Sequence, residues 1–332
     1  MSGLRVPIRV DSMLDANAAT LAEDVLDGLT RPFKELPPKH FYDARGSELF
    51  ARICELPEYY PTRAERAILE ARAEEIVTST GAEELVEIGS GYATKTRVLL
   101  DAMRDAGRLG RYVPFDVSES TLREAGERLA DEYPGLDIHG IAGDFERHLD
   151  AVPAPEARRV VAFLGGTIGN FAPGSRRRFL RSLAALLGEG DHLLLGTDLV
   201  KDPAVLEAAY DDAAGLTAEF NRNVLRVVNR ELGADFDPGR FEHVAFYDRE
   251  HEWVEMRLRA IERMTVSIPA VDLTVEFAAR EELRTEISAK FTASRLEHEL
   301  RAAGLELVAL LTDEDDRFGL SLARPAVSDE TA

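Results

Sequence analysis

Hydrophobic positions recur along the chain with two different spacings. Strand-like apolar runs lie at 84–88, 112–116, 138–142, 159–164 and 191–197. A spacing of about 3.6 residues, which is typical of amphipathic helices, occurs at 16–28, 61–79, 95–106, 118–132, 174–187 and 294–303. Strands that alternate with helices form a parallel sheet covered by helices on both faces. The pattern therefore predicts an α/β fold with a doubly wound sheet.

The pattern changes after residue 198. Helices are predicted at 202–219 and 224–231, and antiparallel strands are predicted at 241–248, 252–261, 264–268 and 271–277. The helix at 294–303 and strands at 305–311 and 318–323 then resume the first pattern. The simplest arrangement is a core of residues 63–199 and 290–326, with a second α+β domain formed by 1–62 and 200–289. Residues 327–332 are expected to form a disordered tail.

A glycine-containing turn follows the strand at 84–88 and opens the next helix. Gly89 and Gly91 carry no Cβ, so we expect their backbone N–H groups to approach a ligand at the start of that helix. Dinucleotide-binding turns have a third glycine where this chain has Thr94. The carboxylate of Glu87 also disfavours a pyrophosphate and favours a cationic ligand. S-adenosylmethionine has this character, so the turn favours a methyltransferase over other doubly wound proteins.

Two more strands end in an acidic residue. Asp116 stands where a carboxylate can accept hydrogen bonds from ribose hydroxyls. Asp144 can accept from an adenine amine while Phe145 packs on the ring. Either acid could instead cap the turn or helix that follows it. The recurrence of acids at successive strand ends favours the ligand-binding interpretation.

Composition limits the classes of partner. Hydrophobic residues make up 45% of the 332 positions, and 40 Lys and Arg against 61 Asp and Glu give a formal charge of -21. Such a surface repels phosphate backbones and anionic membranes, so we expect a small-molecule substrate, with no nucleic acid and no membrane. The single cysteine, Cys54, excludes an internal disulfide, and we find no signal-peptide pattern and no bilayer-spanning apolar run. These features predict a cytoplasmic protein.

Six segments carry a more specific signal, and several of them lie outside the predicted methyltransferase core. The segments are 37–43 (PPKHFYD), 56–63 (LPEYYPTR), 163–170 (FLGGTIGN), 196–202 (GTDLVKD), 220–223 (FNRN) and 285–291 (TEISAKF). Together they make the chain resemble the histidine-specific Nα-methyltransferases of ergothioneine biosynthesis over about residues 12–324. Gly166 and Ala289 depart from that pattern, where serine and cysteine are expected.

The resemblance implies a class I S-adenosylmethionine-dependent methyltransferase fold, Rossmann-like with an antiparallel C-terminal strand, and a second substrate domain. It implies transfer of three methyl groups to the α-amine of L-histidine, which gives hercynine in the first step of ergothioneine biosynthesis. No metal is implied, and we expect a monomer. The residues implied in binding S-adenosylmethionine are Gly89, Lys95, Asp116, Asp144 and Phe145.

The resemblance also implies a histidine site. Its implied ligands are Tyr59, Gly165, Asn170, Tyr210, Glu286 and Ser288, with Tyr42, Thr167, Thr217 and Met256 as weaker pocket candidates. We expect Tyr42 and Asn170 to guide the proton away from the amine. Glu286 and Ser288 lie two residues apart in an extended segment, so their side chains share a face and could bond to imidazole nitrogens. The same spacing with Lys290 also fits the solvated face of an edge strand.

Other functions remain open from the sequence. A methyltransferase of the same superfamily could act on tryptophan, tyrosine or a histidine derivative. A protein or nucleic-acid methyltransferase is disfavoured by the acidic charge and by the Gly-Asn ending at 169–170. A regulatory module without catalysis is disfavoured because candidate residues for both ligands are present.

Overall fold

The computed structural model describes residues 8–13 and 21–326. Its helices are, in chain order, α1 (Leu21–Thr30), α2 (Ala44–Ile53), α3 (Pro61–Thr80), α4 (Arg97–Asp105), α5 (Glu119–Glu132), α6 (Pro173–Ala184), α7 (Pro203–Tyr210), α8 (Leu216–Leu232) and α9 (Ala293–Ala302). Its strands are β1 (Arg9–Ser12), β2 (Lys34–Glu35), β3 (Glu84–Ile88), β4 (Arg111–Asp116), β5 (Asp137–Ala142), β6 (Arg159–Phe163), β7 (His192–Asp198), β8 (Phe241–Asp248), β9 (Trp253–Ala260), β10 (Met264–Ile268), β11 (Leu273–Phe277), β12 (Glu282–Ala289), β13 (Leu305–Thr312) and β14 (Phe318–Pro325). The expected disordered tail at 327–332 and the start of the helix predicted at 16–28 lie outside the described residues.

The described chain divides into two compact units. The sheet unit comprises residues 8–13, 63–199 and 291–326, and the inserted unit comprises residues 21–62 and 200–290. Each unit has its own sheet and its own buried apolar residues.

The sheet unit contains an eight-stranded sheet in the order β1-β5-β4-β3-β6-β7-β14-β13. Its strands run parallel except for β14, which pairs antiparallel with both β7 and β13. The strands are apolar, and Val86, Val113 and Val161 at their centres are fully buried. This topology confirms the predicted class I methyltransferase fold. The order changes direction between β3 and β6, which places the glycine turn after β3 at the switch point where such sheets bind ligands.

The N-terminal strand corrects one predicted boundary. Residues 9–12 were expected in the second domain, but β1 pairs in parallel with β5 at the edge of the large sheet. The Asp11 carboxylate also contacts Nε2 of His139 at 2.8 Å. A four-residue strand that pairs across more than a hundred positions has no local sequence pattern from which its partner could be predicted.

The inserted unit contains a four-stranded sheet in the order β2-β12-β9-β8 and a separate hairpin of β10 and β11. The strands predicted from residue 241 onward are present, but they do not form a simple meander. The neighbour of β9 is β12, which returns to pair with it after the hairpin. The segment 282–289 pairs with β9 along its length and with the two-residue β2 only at Leu283 and Arg284.

The helices predicted at 202–219 and 224–231 break at a different place. The structure ends α7 at Tyr210 and runs α8 without interruption from Leu216 to Leu232. The Asp212 carboxylate accepts the backbone N–H groups of Leu216 and Thr217, at 3.0 and 2.7 Å. Gly215 has a φ of 70°, which glycine adopts without strain. These two residues stop one helix and cap the next.

Candidate functional site: two sets of residues

The glycine turn after β3 leaves open space on its outer side. Gly89 and Gly91 have φ values of 74° and 49°, and a Cβ added at either position would meet no atom within 4 Å. The buried hydroxyl of Ser90, between them, has no hydrogen-bond partner among the described residues. An open glycine turn with an unpaired hydroxyl fits the edge of a nucleoside-binding site.

The N–H groups of this turn do not point to a ligand, which corrects the sequence prediction. The amides of Gly89 and Ser90 donate to the carbonyl of Phe115, at 2.8 and 3.1 Å. The Gly91 amide donates to Oδ2 of Asp116 at 2.8 Å. The glycines thus provide space and a tight turn, while their N–H groups bind the turn to β4.

Glu87 also differs from its predicted role. It is 4% exposed, and its carboxyl group accepts hydrogen bonds from Thr96 and Tyr112, both fully buried. Desolvation raises the pKa of Glu87 to about 7, even though these two hydroxyls lower it. The carboxyl group holds the turn against β4 instead of facing a cationic ligand. Glu87 therefore does not direct its charge at a cationic ligand, and its predicted role was wrong.

The strand-end acids have capping roles in the structure and keep capacity for a ligand. Asp116 accepts from Gly91 through one oxygen and from Ser118, at 3.0 Å, through the other. Asp144 accepts the backbone N–H of Glu146 at 2.9 Å. Each carboxylate oxygen can accept two hydrogen bonds, so the capping and ligand-binding interpretations are compatible.

Phe145 follows Asp144 at the rim of an aromatic cluster. Its ring centroid lies 5.6 Å from that of Phe163 and 5.7 Å from that of Phe179. Phe145 is partly exposed, whereas both neighbours are buried. A supported ring with an accessible surface suits stacking on a planar group.

Lys95 lies in the turn before α4 and pairs with a fully buried carboxylate. Its ammonium donates to Glu65 on α3, and the other Glu65 oxygen accepts the backbone N–H of Gly165 at 2.6 Å. A Cβ at Gly196 would overlap the Glu65 carboxylate. Glu65 thus joins α3, the glycine turn and the loop after β6, a role that the sequence did not reveal.

The loop after β6 carries three of the predicted histidine-site residues. Gly165 and Gly166 have φ values of 80° and 69°, and a 3-10 turn follows at Thr167–Asn170. The Thr167 hydroxyl donates to the carbonyl of Leu164 at 3.4 Å. No hydrogen bond within residues 8–13 and 21–326 engages the Asn170 side chain. Asn170 therefore offers both a donor and an acceptor.

In the inserted unit, Tyr210, Ser288 and Lys290 form a buried hydrogen-bonded cluster. The Tyr210 hydroxyl donates to Oγ of Ser288 at 2.7 Å. The Lys290 ammonium donates to the Tyr210 oxygen at 2.9 Å and to Oγ of Ser288 at 2.8 Å. Ser288 is 5% exposed and Lys290 is fully buried. The interpretation of this strand face as solvated is wrong for both residues.

Glu286 lies two residues before Ser288 on β12, opposite Met256 of β9. Desolvation raises the pKa of Glu286 to about 7, and the positive charge of Lys290 opposes that increase. None of the hydrogen bonds or ion pairs of the described residues engages its carboxylate. A poorly solvated acid without an internal partner is typical of a ligand-binding position.

Tyr42 and Tyr59 lie within electrostatic reach of this acid. Desolvation and smaller contributions from negative groups that include Glu286 raise the pKa of both phenols, so both are neutral near neutral pH. Their rings pack edge-on against Phe50, with centroid distances of 5.4 and 5.9 Å. Tyr42 is 46% exposed. The structure thus brings together Tyr42, Tyr59, Tyr210, Glu286 and Ser288.

Two asparagines of the 220–223 segment anchor this group. Asn221 is fully buried, accepts from the Thr285 hydroxyl at 2.7 Å, and donates to Nδ1 of His243 at 2.8 Å. Nε2 of His243 donates to the backbone carbonyl of Tyr210 at 2.8 Å. Asn221 thereby fixes the neighbours of Glu286 and the chain at Tyr210.

Asn223 has the equivalent role for Tyr42. Its amide donates at 2.8 Å to Oδ1 of Asp43, which caps α2, and Arg230 binds the other oxygen of Asp43 at 2.7 Å. Asn223 is 1% exposed. The sequence identified this segment as a family motif, and the structure shows what its side chains hold.

Thr217 is buried on α8, where its backbone N–H forms part of the Asp212 cap. The buried Thr217 hydroxyl has no hydrogen-bond partner in the described part of the chain. Met256 is 2% exposed, and its backbone carbonyl accepts from Thr285 at 3.0 Å. Both assignments stay predictions.

Comparison with known proteins decides the family. The family model for histidine-specific, S-adenosylmethionine-dependent methyltransferases matches residues 21–325. The chain belongs to this family. The resemblance drawn from the six segments is confirmed.

Curated relatives agree with the family match. A histidine N-α-methyltransferase of Mycolicibacterium smegmatis is 55% identical over 93% of this chain and 96% of that protein. One of Mycobacterium tuberculosis is 53% identical over the same shares. Ergothioneine biosynthesis protein 1 of Neurospora crassa is 31% identical over 87% of this chain and 33% of its own length. Among residues 8–13 and 21–326, no helix is long and apolar enough to cross a bilayer.

Proposed function

We propose that this protein transfers methyl groups from S-adenosylmethionine to the α-amine of L-histidine and yields the trimethylated product, hercynine, in ergothioneine biosynthesis. The observation that carries the proposal is the pair of Glu286 and Ser288 on β12, in a chain of the histidine-specific family. Glu286 offers an unpaired acceptor and Ser288 a hydroxyl two residues away. An imidazole ring has two nitrogens, one of which can bond to Glu286 and the other to Ser288.

The sheet unit has the residues to hold the methyl donor. The open glycine turn can admit the nucleoside, Asp116 can accept from the ribose, Asp144 can accept from the adenine amine, and Phe145 can stack on its ring. Lys95 can pair with a carboxylate. When bound, S-adenosylmethionine supplies a methyl group activated by a sulfonium.

We assign histidine-binding roles to residues within each unit separately. In the inserted unit, which we propose to be the substrate domain, Glu286 and Ser288 bind the imidazole, and Tyr59 and Tyr210 orient the amino-acid backbone. In the loop after β6, Asn170 and Gly165 bind its carboxylate and amine. The absence of a partner for the Asn170 side chain among the described residues supports this assignment.

The amine needs no strong base. The α-amine of the substrate has a pKa about one to two units above neutral pH, so releasing its proton costs on the order of 1.4 kcal/mol per unit. Tyr42 and Tyr59 are neutral phenols, which can accept and pass on a proton without ionising. Tyr42 and Asn170 therefore guide the proton to water.

Positioning supplies most of the rate enhancement. Holding the amine nitrogen in line with the methyl group can contribute roughly 7–11 kcal/mol. Each dimethylated amine still has a lone pair, so the same geometry allows a third transfer, and the quaternary product has none. Trimethylation follows.

The direct test is mass spectrometry of the product formed from histidine and excess S-adenosylmethionine. We expect complete conversion to the trimethylated species, with tryptophan and tyrosine unmodified in parallel reactions. A mono- or dimethylated end product would contradict trimethylation. Equal turnover of tryptophan would favour an amine methyltransferase for another amino acid. A monomeric state and a cytoplasmic location stay predictions; size-exclusion chromatography and fractionation test them.

A further inference from the structure

Ser288 accepts hydrogen bonds from two neighbours, Lys290 and Tyr210. An ammonium group can only donate, so both the Tyr210 and the Ser288 oxygens accept from Lys290, at 2.9 and 2.8 Å. The Tyr210 hydroxyl then donates to Ser288 at 2.7 Å. This direction is the stronger one because a phenol is the more acidic donor.

These bonds use both acceptor positions of Ser288. A serine hydroxyl has two lone pairs and one hydrogen. Lys290 and Tyr210 engage the two lone pairs, and no described residue accepts the hydrogen. Ser288 can therefore serve a ligand only as a donor. Glu286, when ionised, can serve only as an acceptor.

A donor and an acceptor together match one form of imidazole. Neutral imidazole has one N–H and one nitrogen lone pair, whereas imidazolium has two N–H groups. We propose that Lys290 is a positioning residue for specificity, which locks Ser288 as a donor so that the site selects neutral imidazole in a single tautomer. The inference rests on the proposed function, because it concerns how that site reads its substrate.

Several titratable groups lie near Ser288 and Glu286. The groups that act electrostatically on the neighbouring Tyr42, Tyr59 and Glu286 include Lys290 on β12, Cys54 after α2 and Tyr210 on α7. His243 on β8 contacts only the backbone carbonyl of Tyr210 in this cluster. Glu286 and Lys290 are two charged groups at the proposed ring-binding face.

Replacing Lys290 should release one of the two Ser288 lone pairs. In Lys290→Met, the serine hydroxyl can turn and accept from the second N–H of imidazolium. Discrimination against the protonated ring should then weaken. A purely structural lysine would instead reduce binding of all ring forms equally.

The experiment is calorimetric titration of histidine into the S-adenosylhomocysteine complex between pH 5.5 and 8.5. The triazole analogue of histidine, whose ring stays neutral in this range, is titrated in parallel. Because protonation of Glu286 affects binding of both histidine and the analogue, the analogue measures that effect alone. In the wild type, histidine affinity relative to the analogue should fall about tenfold per pH unit below the imidazole pKa of about 6.5.

In Lys290→Met, that relative loss at low pH should largely disappear, while affinity at pH 8 falls about tenfold or more. An unchanged relative pH profile in this variant would overturn the proposal. If the variant does not fold, as judged by loss of S-adenosylhomocysteine binding, Ser288→Ala provides the test. It removes the fixed donor and should also abolish the preference for the neutral ring; retention of that preference would overturn the proposal. Failure of the wild type to bind histidine would instead refute the proposed function.

Discussion

The carboxylate of Glu65 accepts the backbone N–H of Gly165 at 2.6 Å, although the two residues are 100 positions apart. Its other oxygen accepts the ammonium of Lys95. One buried acid on α3 therefore holds a residue proposed to bind the methyl donor and a residue proposed to bind histidine.

The two side chains of this ion pair differ in exposure, which predicts how removing either one changes stability. Glu65 is fully buried, whereas the Lys95 side chain is 26% exposed. Lys95→Met leaves a buried charge without its cation and should lower the free energy of unfolding by about 3–5 kcal/mol. Adding Glu65→Gln should recover most of that loss. Urea denaturation of both variants measures the effect.

Calorimetry with S-adenosylhomocysteine separates stability from binding. If Lys95 contacts the ligand carboxylate, the double variant should bind weakly despite its recovered stability. Arg66→Met is the control, because its ion pair with Glu70 is exposed and should contribute less than about 1 kcal/mol. A double variant as unstable as Lys95→Met would contradict the account of the pair.

Residue 196 must be glycine because the Glu65 carboxylate occupies the space that a Cβ would need. Gly196→Ala places a Cβ on the Glu65 carboxylate and should lower the melting temperature and the affinity for S-adenosylhomocysteine together. Gly174→Ala is the matched control, because its new Cβ meets only the Arg178 side chain at 3.8 Å. In α6, that control should be neutral or slightly stabilising. Equal melting temperatures for the two variants would show that Glu65 can move freely.

Glu286 should reduce stability at alkaline pH. Its pKa is about 7 in the folded protein, above the value of about 4.3 for an unfolded chain. The carboxyl group therefore costs no stability below the unfolded pKa; the cost grows as the pH rises from about 4.3 to about 7 and is constant above the folded pKa. Glu286→Gln should raise the free energy of unfolding at pH 8 by about 1–3 kcal/mol and leave it unchanged near pH 4.5.

Glu282 on the same strand is a control, because its pKa shifts in the opposite direction to that of Glu286. Desolvation alone would raise the pKa of Glu282, but hydrogen bonds from Arg257 and Arg259 outweigh it and hold the pKa below the usual value. Its stabilisation is present above the unfolded pKa and is lost as the pH falls through the lower folded value. Glu282→Gln should thus destabilise the protein at pH 8. Melting curves at pH 5 and 8 compare the pair, and a decrease for both variants at pH 8 would contradict the assignment of Glu286.

Asn221 should be needed as an amide. In Asn221→Asp, a carboxylate oxygen replaces the group that donates to Nδ1 of His243 and, at 3.1 Å, to the carbonyl of Arg257. Nδ1 of His243 and the carbonyl of Arg257, both acceptors, then face a carboxylate oxygen that cannot donate. This loss should cost about 1–3 kcal/mol of stability at pH 8. Burial holds the pKa of His243 below its usual value, but the new carboxylate favours the protonated ring, so the cost should shrink as the pH falls.

Histidine kinetics provide a second measurement for Asn221→Asp. Because Asn221 holds Thr285 and, through His243, the chain at Tyr210, the variant should raise KM for histidine more than KM for S-adenosylmethionine. Equal changes in both constants, or an unchanged denaturation midpoint at pH 8, would refute this anchoring role.

The sequence predicted those features whose signals are local. Apolar runs that end in Asp116 and Asp144 gave the strands of the sheet and the positions of the acids, because a strand end and its turn are encoded within a few residues. The six family segments identified the function for a similar reason.

The features that the sequence missed depend on distant partners. Glu65 resembles any polar position on a helix until Lys95 and Gly165 are brought to it. Lys290 follows the alternation of a solvated strand face, and only the return of β12 beside β9 buries it against Tyr210. Glu87 was misassigned because the burial of Tyr112 and Thr96 beside it is a tertiary property.

The most direct measurement is a calorimetric titration of L-histidine into the protein saturated with S-adenosylhomocysteine, with L-tryptophan as the comparison and Glu286→Ala as the matched variant. The account predicts binding heat for histidine, no measurable heat for tryptophan, and at least about tenfold weaker histidine binding by the variant, because the imidazole N–H loses its acceptor. Tryptophan binding as tight as that of histidine, or a variant that binds histidine as the wild type does, would contradict it.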